Sequence, residues 1–182
     1  VSPRSAGPPA RLTAQHDVRG FRSGNDVLDS WLRHHALEQQ EEGVTTFVVT
    51  DDGRAVGYYC LTRGAVEHVR AAAPRRWGRR AAGPADPVPA LLIGRLAVDE
   101  TAQGRGVGAR LLRDAVMRAA TVYRTAGTPL LLAHAVSAPA RAFYRHFGFT
   151  PMRLDHYVVA LALRHATAGR GPGPGPGMPF RD

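Results

Sequence analysis

The chain has 182 residues, 44% of them hydrophobic, and a formal net charge of +9. That length suits one domain with a sizeable core, and no apolar run approaches the ~20 residues of a membrane-spanning helix. The lone cysteine, Cys60, excludes a disulfide framework and a cysteine metal cluster.

Residues 1–15, VSPRSAGPPARLTAQ, are rich in Pro, Ala and Arg and read as a flexible lead. They lack the apolar core of a signal peptide, so a cytoplasmic location is expected. SGNDVLDSWLRHHALEQQE follows as a helix capped by Ser23 or Asn25, with Val27, Leu28, Trp31, Leu32 and Ala36 in one apolar stripe. His34 and His35 are adjacent and do not face one another on a helix, so they make a poor metal site, and no metal is expected.

TTFVVT, DDGR and AVGYYCLT form a hairpin around an Asp-Gly turn. Cys60 falls in its second strand and reads as a buried, inert thiol. From Arg63 to Arg80 the chain holds six arginines and one glutamate, and 81–90, AAGPADPVPA, reads as loop. LLIGRLAV is a strand apolar enough to be covered on both faces. After a glycine-rich stretch, Val107, Leu111, Leu112, Ala115, Val116 and Ala119 recur at helical spacing. PLLLAHAV is a second buried strand, SAPARAFYRHF a helix capped by Ser137, and HYVVALAL a last strand. His134, inside a buried strand, reads as a satisfied core histidine rather than a base. The Gly-Pro repeats of 165–182 can hold neither helix nor ladder, so a disordered tail is expected behind one domain over 16–164. The order α, β, β, basic loop, β, α, β, α, β predicts an α/β (α+β) fold, a mixed sheet flanked by helices.

The glycine stretch sits between a strand and a helix, the usual setting of a phosphate loop. A Walker A loop needs a lysine, and all 24 basic residues here are arginine. A dinucleotide fingerprint needs G-x-G-x-x-G directly after the first strand and an acidic residue about 20 positions on. Gly104, Gly106 and Gly108 are spaced G-x-G-x-G in mid-chain, and position 128 is threonine. The third pattern, Q/R-x-x-G-x-G/A, matches Gln103-Gly104-Arg105-Gly106-Val107-Gly108 at every fixed position. Amides from 104 to 109 at a helix start lack intrahelical partners and lie at the positive end of the dipole, where they suit a diphosphate; Arg105 and Arg110 add charge. A glycine turn without a ligand would carry the same hexapeptide.

Two longer stretches decide the reading. RLAVDETAQGRGVGARLLRDA resembles the strand, loop and helix of the GNAT acetyltransferases, and AHAVSAPARAFYRHFGFTP resembles their second signature, a helix bearing Phe-Tyr and then Gly-Phe. The resemblance spans about residues 20–163. With DVLDSWLRHHA and VGYYCLTRGAVEH, it comes nearest the GNAT toxins of bacterial toxin–antitoxin modules. It implies a mostly antiparallel sheet whose splayed central strands hold acetyl-CoA, with acetyl transfer to the amine of aminoacyl-tRNA. It also implies a homodimer and a ribbon-helix-helix antitoxin. The Arg/Pro-rich segment at 70–89 and the Gly-Pro tail depart from the family pattern.

The same resemblance implies cofactor contacts from Leu96, Ala97 and Val98, whose amides would polarise the thioester carbonyl, and from Gln103, Gly104, Arg105, Gly106, Val107, Gly108 and Ala109. It implies Tyr144 as the catalytic acid. A phenol titrates near ~10, close to a departing alkyl thiol, and a free α-amine near ~8 is already partly neutral, so no strong base is required. Arg70, Arg75, Arg76, Arg79 and Arg80, with Trp77 among them, are candidates to grip tRNA phosphates, and Arg95 to reach the acceptor end. An acetyltransferase for a protein N-terminus or a small-molecule amine is one alternative. A non-catalytic basic nucleic-acid-binding module is the other.

Overall fold

The computed structural model describes residues 7–66, 87–127, 129–153 and 155–163. Arg70, Arg75, Arg76, Arg79, Arg80 and Trp77 lie outside the described residues, as does the tail 165–182. Composition made 1–15 a loose lead, yet β1 (Ala10–Arg11) pairs antiparallel with β2 (Thr45–Asp51), and Leu12 behind it is buried. One apolar side chain and a few ladder bonds suffice to seat it, a signal too short for periodicity to show.

Asn25 is the cap of helix α1 (Asp26–His34), its side chain accepting from the amides of Val27 and Leu28. The helix stops sooner than its sequence pattern, because the amides of His35 and Ala36 both return to the Trp31 carbonyl. A single 3-10 turn follows over Glu38–Gln40. Trp31, Leu32 and Ala36 are buried, but Val27 is 72% exposed, so the apolar stripe is narrower than expected.

Strand β2 turns through Asp52 and Gly53, both at positive φ, into β3 (Arg54–Val66). That pair of left-handed residues is the hairpin turn anticipated from Asp-Gly. Strand β3 does not end at Thr62 as expected. It runs on to Val66 against β4 (Val88–Val98), which likewise starts three residues before the predicted strand. Val88 and Ala90 are buried and Pro89 between them is exposed, an alternation of period two that the surrounding prolines obscure. Pairing of β4 with its other neighbour begins only at Ala90, so that ladder does not need the amide hydrogen Pro89 lacks.

Helix α2 (Val107–Ala126), strand β5 (Leu130–His134), helix α3 (Ala138–His146), a two-residue edge strand β6 (Thr150–Pro151) and β7 (Val158–Ala162) complete the chain. Of these five elements, only β6 was not anticipated. The sheet order is β1-β2-β3-β4-β5-β7-β6, antiparallel except between β4 and β5. One core lies between the sheet and helices α2 and α3, built on Phe47, Tyr59, Leu111, Leu112, Leu131 and Phe147. A second lies under α1, where Trp31 and Leu32 meet Tyr58, Cys60 and Ala97. Cys60 is 1% exposed and burial pushes its thiol pKa up, the inert state expected of it.

The start of α2 is pressed against the sheet at Gly57. A Cβ there would stand 2.8 Å from Val107 Cγ1 and 3.0 Å from Leu111 Cδ1. Val107 is β-branched and buried, so it cannot turn aside. Gly57→Ala should therefore cost about 1–3 kcal/mol, read as a fall in Tm of about 2–4 °C per kcal/mol.

Candidate functional site

Strands β4 and β5 run together from Ala90/Leu130 to Ile93/Ala133 and no further. Past Ile93 the register of β4 against β3 shifts at Gly94, because Leu61 pairs with Ile93 but Cys60 with Arg95. This bulge bends β4 away from β5 and leaves one side of its last residues without a strand neighbour. The Asp99 amide donates to Val56 in β3. Alternation along the strand then turns the backbone groups of Ala97 toward β3 and those of Leu96 and Val98 toward the gap. Of the three residues expected to offer amides, Leu96 and Val98 are placed to do so and Ala97 is not; its side chain sits in the core under α1.

The loop after β4 is held from below. Asp99 is 1% exposed. Its carboxylate accepts from the Arg22 amide at 2.9 Å, from the Thr101 amide at 3.1 Å and hydroxyl at 2.6 Å, and from the Arg54 guanidinium at 3.3 Å. Burial alone would raise its pKa, but the bonds from Thr101 and Arg22 and the charge of Arg54 outweigh it and hold the carboxyl below the ordinary value. In the sequence Asp99 looks like an ordinary turn residue. The Asp-x-Thr spacing was the available sign of a carboxylate capping its own backbone, but nothing local told of Arg22 and Arg54.

Gln103 is the next restraint. Its Nε2 donates to the carbonyls of Ser23 and Val98, both at 3.1 Å. Ser23 in turn gives its amide and hydroxyl to Asp29, a buried carboxylate on α1 that the sequence reading passed over. The Gln103 side-chain amide therefore ties the loop to β4 and to the segment before α1.

From here the backbone opens. Gly104 has φ +72° and Gly106, the residue before α2, has φ +77°, a region a side chain strains to enter. A Cβ on either would meet nothing within 4 Å. Among the described residues, the amides of Gly104, Gly106, Val107, Gly108 and Ala109 have no acceptor, whereas the Arg105 amide between them donates to the Ala102 carbonyl at 3.4 Å and the Arg110 amide to the Gly106 carbonyl. Five unspent donors stand at the positive end of a 20-residue helix. That fits a diphosphate, and so the acetyl-CoA that this loop pattern implies. The nearby arginines point elsewhere. Arg105 lies 3.9 Å from Asp51, and Arg110 donates to the Gly7 carbonyl.

Tyr144 is on α3, whose Phe143 ring lies beside Gly108; it is 6% exposed, with its ring 5.5 Å from that of Phe143 and 5.4 Å from that of Phe149. Ser137 caps this helix, accepting from the Ala140 amide at 3.2 Å. Burial, with a smaller push from the Cys60 thiol, raises the Tyr144 pKa above the ordinary phenol value. Arg95 is partly buried, its guanidinium 4.2 Å from the centre of the Trp31 ring. His134 differs from expectation. As the last residue of β5 its side chain is 62% exposed and 4.0 Å from Asp155, so it is no core histidine.

Comparison with known proteins agrees with this geometry. The acetyltransferase (GNAT) domain family matches residues 42–151. A tRNA-acetylating toxin of Mycobacterium tuberculosis is 42% identical over 161 residues, covering 88% of this chain and 94% of that one. The structure of AtaT complexed with acetyl-methionyl-tRNAfMet superposes with a TM-score of 0.78 at 26% identity, over 86% of this chain and 95% of the other. AtaTR bound with acetyl-CoA gives a TM-score of 0.72 at 26% identity, over 86% and 94%. The chain belongs to the GNAT acetyltransferases, and is an N-acetyltransferase that uses acetyl-CoA. Among the described residues no helix is long and apolar enough to cross a membrane.

The Asp99 contacts set a pH limit. A carboxyl whose pKa is lowered on folding adds stability that is full above its unfolded value near ~3.9 and lost as pH falls through the folded one. Thermal melts across pH 2–6 should show wild-type stability falling at the acid end, and Asp99→Asn should start lower and fall less steeply.

Proposed function

We propose that this enzyme acetylates the α-amine of aminoacyl-tRNA and so acts as a translation-blocking toxin. One observation carries the reading: unspent backbone donors lie on the unpaired side of β4 at Leu96 and Val98 and at Gly104 and Gly106–Ala109 at the start of α2, where Phe143, the neighbour of Tyr144, packs beside Gly108. Likeness over nearly full length to a tRNA-acetylating toxin supports the choice of acceptor, as does the charge of +9.

Bound there, acetyl-CoA supplies an acyl carbon activated by its thioester. The amides of Gly104 and Gly106–Ala109 bind the diphosphate, and Arg105, half exposed and weakly held, turns to add charge. Leu96 and Val98 orient the arm along β4 through their backbone groups, and an amide in the gap polarises the acyl oxygen. The C–N bond would form from the neutral amine as the C–S bond breaks; the proton shed by nitrogen would go to water, and water would return one to the Tyr144 oxygen after it has protonated the sulfur. Tyr144 holds the proton that the departing sulfur takes. Its raised pKa keeps Oη protonated, and so able to donate, through the neutral range. A base is not needed for an amine that titrates near ~8.

A homodimer, a ribbon-helix-helix antitoxin and a cytoplasmic site of action belong to this reading through the family resemblance. In incubations with labelled acetyl-CoA and total charged tRNA, label should appear on an aminoacyl-adenosine after nuclease digestion. Tyr144→Phe should lower kcat by about 10²–10⁴-fold, the usual worth of a positioned acid, with the Kd for acetyl-CoA unchanged by calorimetry. Wild-type kcat/KM should rise with pH as the amine deprotonates and should not fall again below pH 10. Turnover by Tyr144→Phe at the wild-type rate would remove the phenol from the reaction.

A further inference from the structure

Outside the acyl-transfer gap, a cup of about 600 Å³ opens between α3 and the β6–β7 edge of the sheet. Arg141 and Arg145 enter it from the helix, Arg153 and His156 from the turn between the edge strands. Among the described residues no carboxylate lines it, and none of the three arginines has an acidic partner. Arg145 alone could be explained as a cation near a helix C-terminus. Arg153 and His156 come from another element, so their convergence on the same space is not explained by the helix.

The floor links the cup to the acyl-transfer gap. Phe149 is 2% exposed, lines the cup, and packs its ring 5.4 Å from that of Tyr144. A group seated in the cup is therefore one aromatic ring away from Tyr144. Arg141 also lies over the ring of Tyr157, 5.2 Å from its centre, which fixes one wall. The arrangement has the chemistry of a phosphate site: several guanidinium forks, no competing carboxylate and an apolar base that fixes its depth.

The geometry points to this cup as the seat of backbone phosphates next to the aminoacylated 3′ end of the RNA, with Arg145 and Arg153 as the principal contacts. This rests on the acceptor assigned under Proposed function and adds where its single-stranded end is gripped. An aminoacyl ester at the gap must trail its phosphodiesters over one rim, and the cup is a basic recess separated from Tyr144 by a single ring.

The test compares two acceptors: charged tRNA, and a 3′-aminoacyl-adenosine that carries no phosphate. In Arg145→Glu/Arg153→Glu, the KM for charged tRNA should rise at least 10-fold. The Kd for acetyl-CoA and the turnover of aminoacyl-adenosine should stay at wild-type values. In Arg145→Gln/Arg153→Gln, the dependence of log kcat/KM on log salt should become shallower by about 1.4, the worth of two single-strand phosphate contacts at ~0.7 each. This milder pair guards against loss of folding in the charge reversal. An unchanged KM and salt slope for charged tRNA, or an equal loss on both acceptors, overturns the proposal. Wild-type protein that leaves charged tRNA unacetylated overturns the assigned acceptor as well, whereas wild-type action with indifferent variants removes the cup alone.

Discussion

Strands β4 and β5 share a ladder over four residues and then part at the Gly94 bulge. In a folded interior a backbone group left without a partner is costly, so an opening of this kind persists only where something outside the chain can enter it. The parting is enforced from both sides. Tyr58, Tyr59 and Cys60 hold β4 to β3, while the antiparallel pairing of β5 with β7 holds β5 in the other half of the sheet. The gap is thus a property of the whole sheet, and the loop, the helix start and Tyr144 take their meaning from standing around it.

The loop itself owes its shape to residues far away in the chain. Asp99 gathers donors from Arg22 and Arg54, and Gln103 reaches Ser23 and through it Asp29. The segment ahead of α1 therefore acts as a brace for the start of α2. With its side chains spent downward, the loop can offer its amides outward without rearrangement, and a preformed site loses less freedom when it binds.

Much of this is legible in the amino-acid sequence. The helix caps at Asn25 and Ser137, the Asp-Gly hairpin and the strand–glycine–helix unit are local patterns, and local patterns are written in adjacent residues. What escaped was set by distant partners. Asp29 and Asp99 look like ordinary helix and turn acids until the groups that bury them are known. Strand β4 begins at Val88 because β3 is there to pair with it, although the proline-rich sequence argues for loop. His134 ends up in solvent because β5 finishes at that residue, a boundary its apolar run does not mark. The site's chemistry was read more fully than its scaffolding, because glycines that must take positive φ leave a clearer trace than carboxylates that need a partner from elsewhere.

The seated N-terminal lead has a consequence for handling the protein. Ala10 and Arg11 cover the outer side of β2, and their neighbours Gly7 and Pro9 give carbonyls to Arg110 and Arg118 on α2. These few residues work as an edge guard. A truncation that removed them would uncover the hydrogen-bonding rim of a strand rich in valine and threonine, the kind of rim that recruits other strands and starts aggregation.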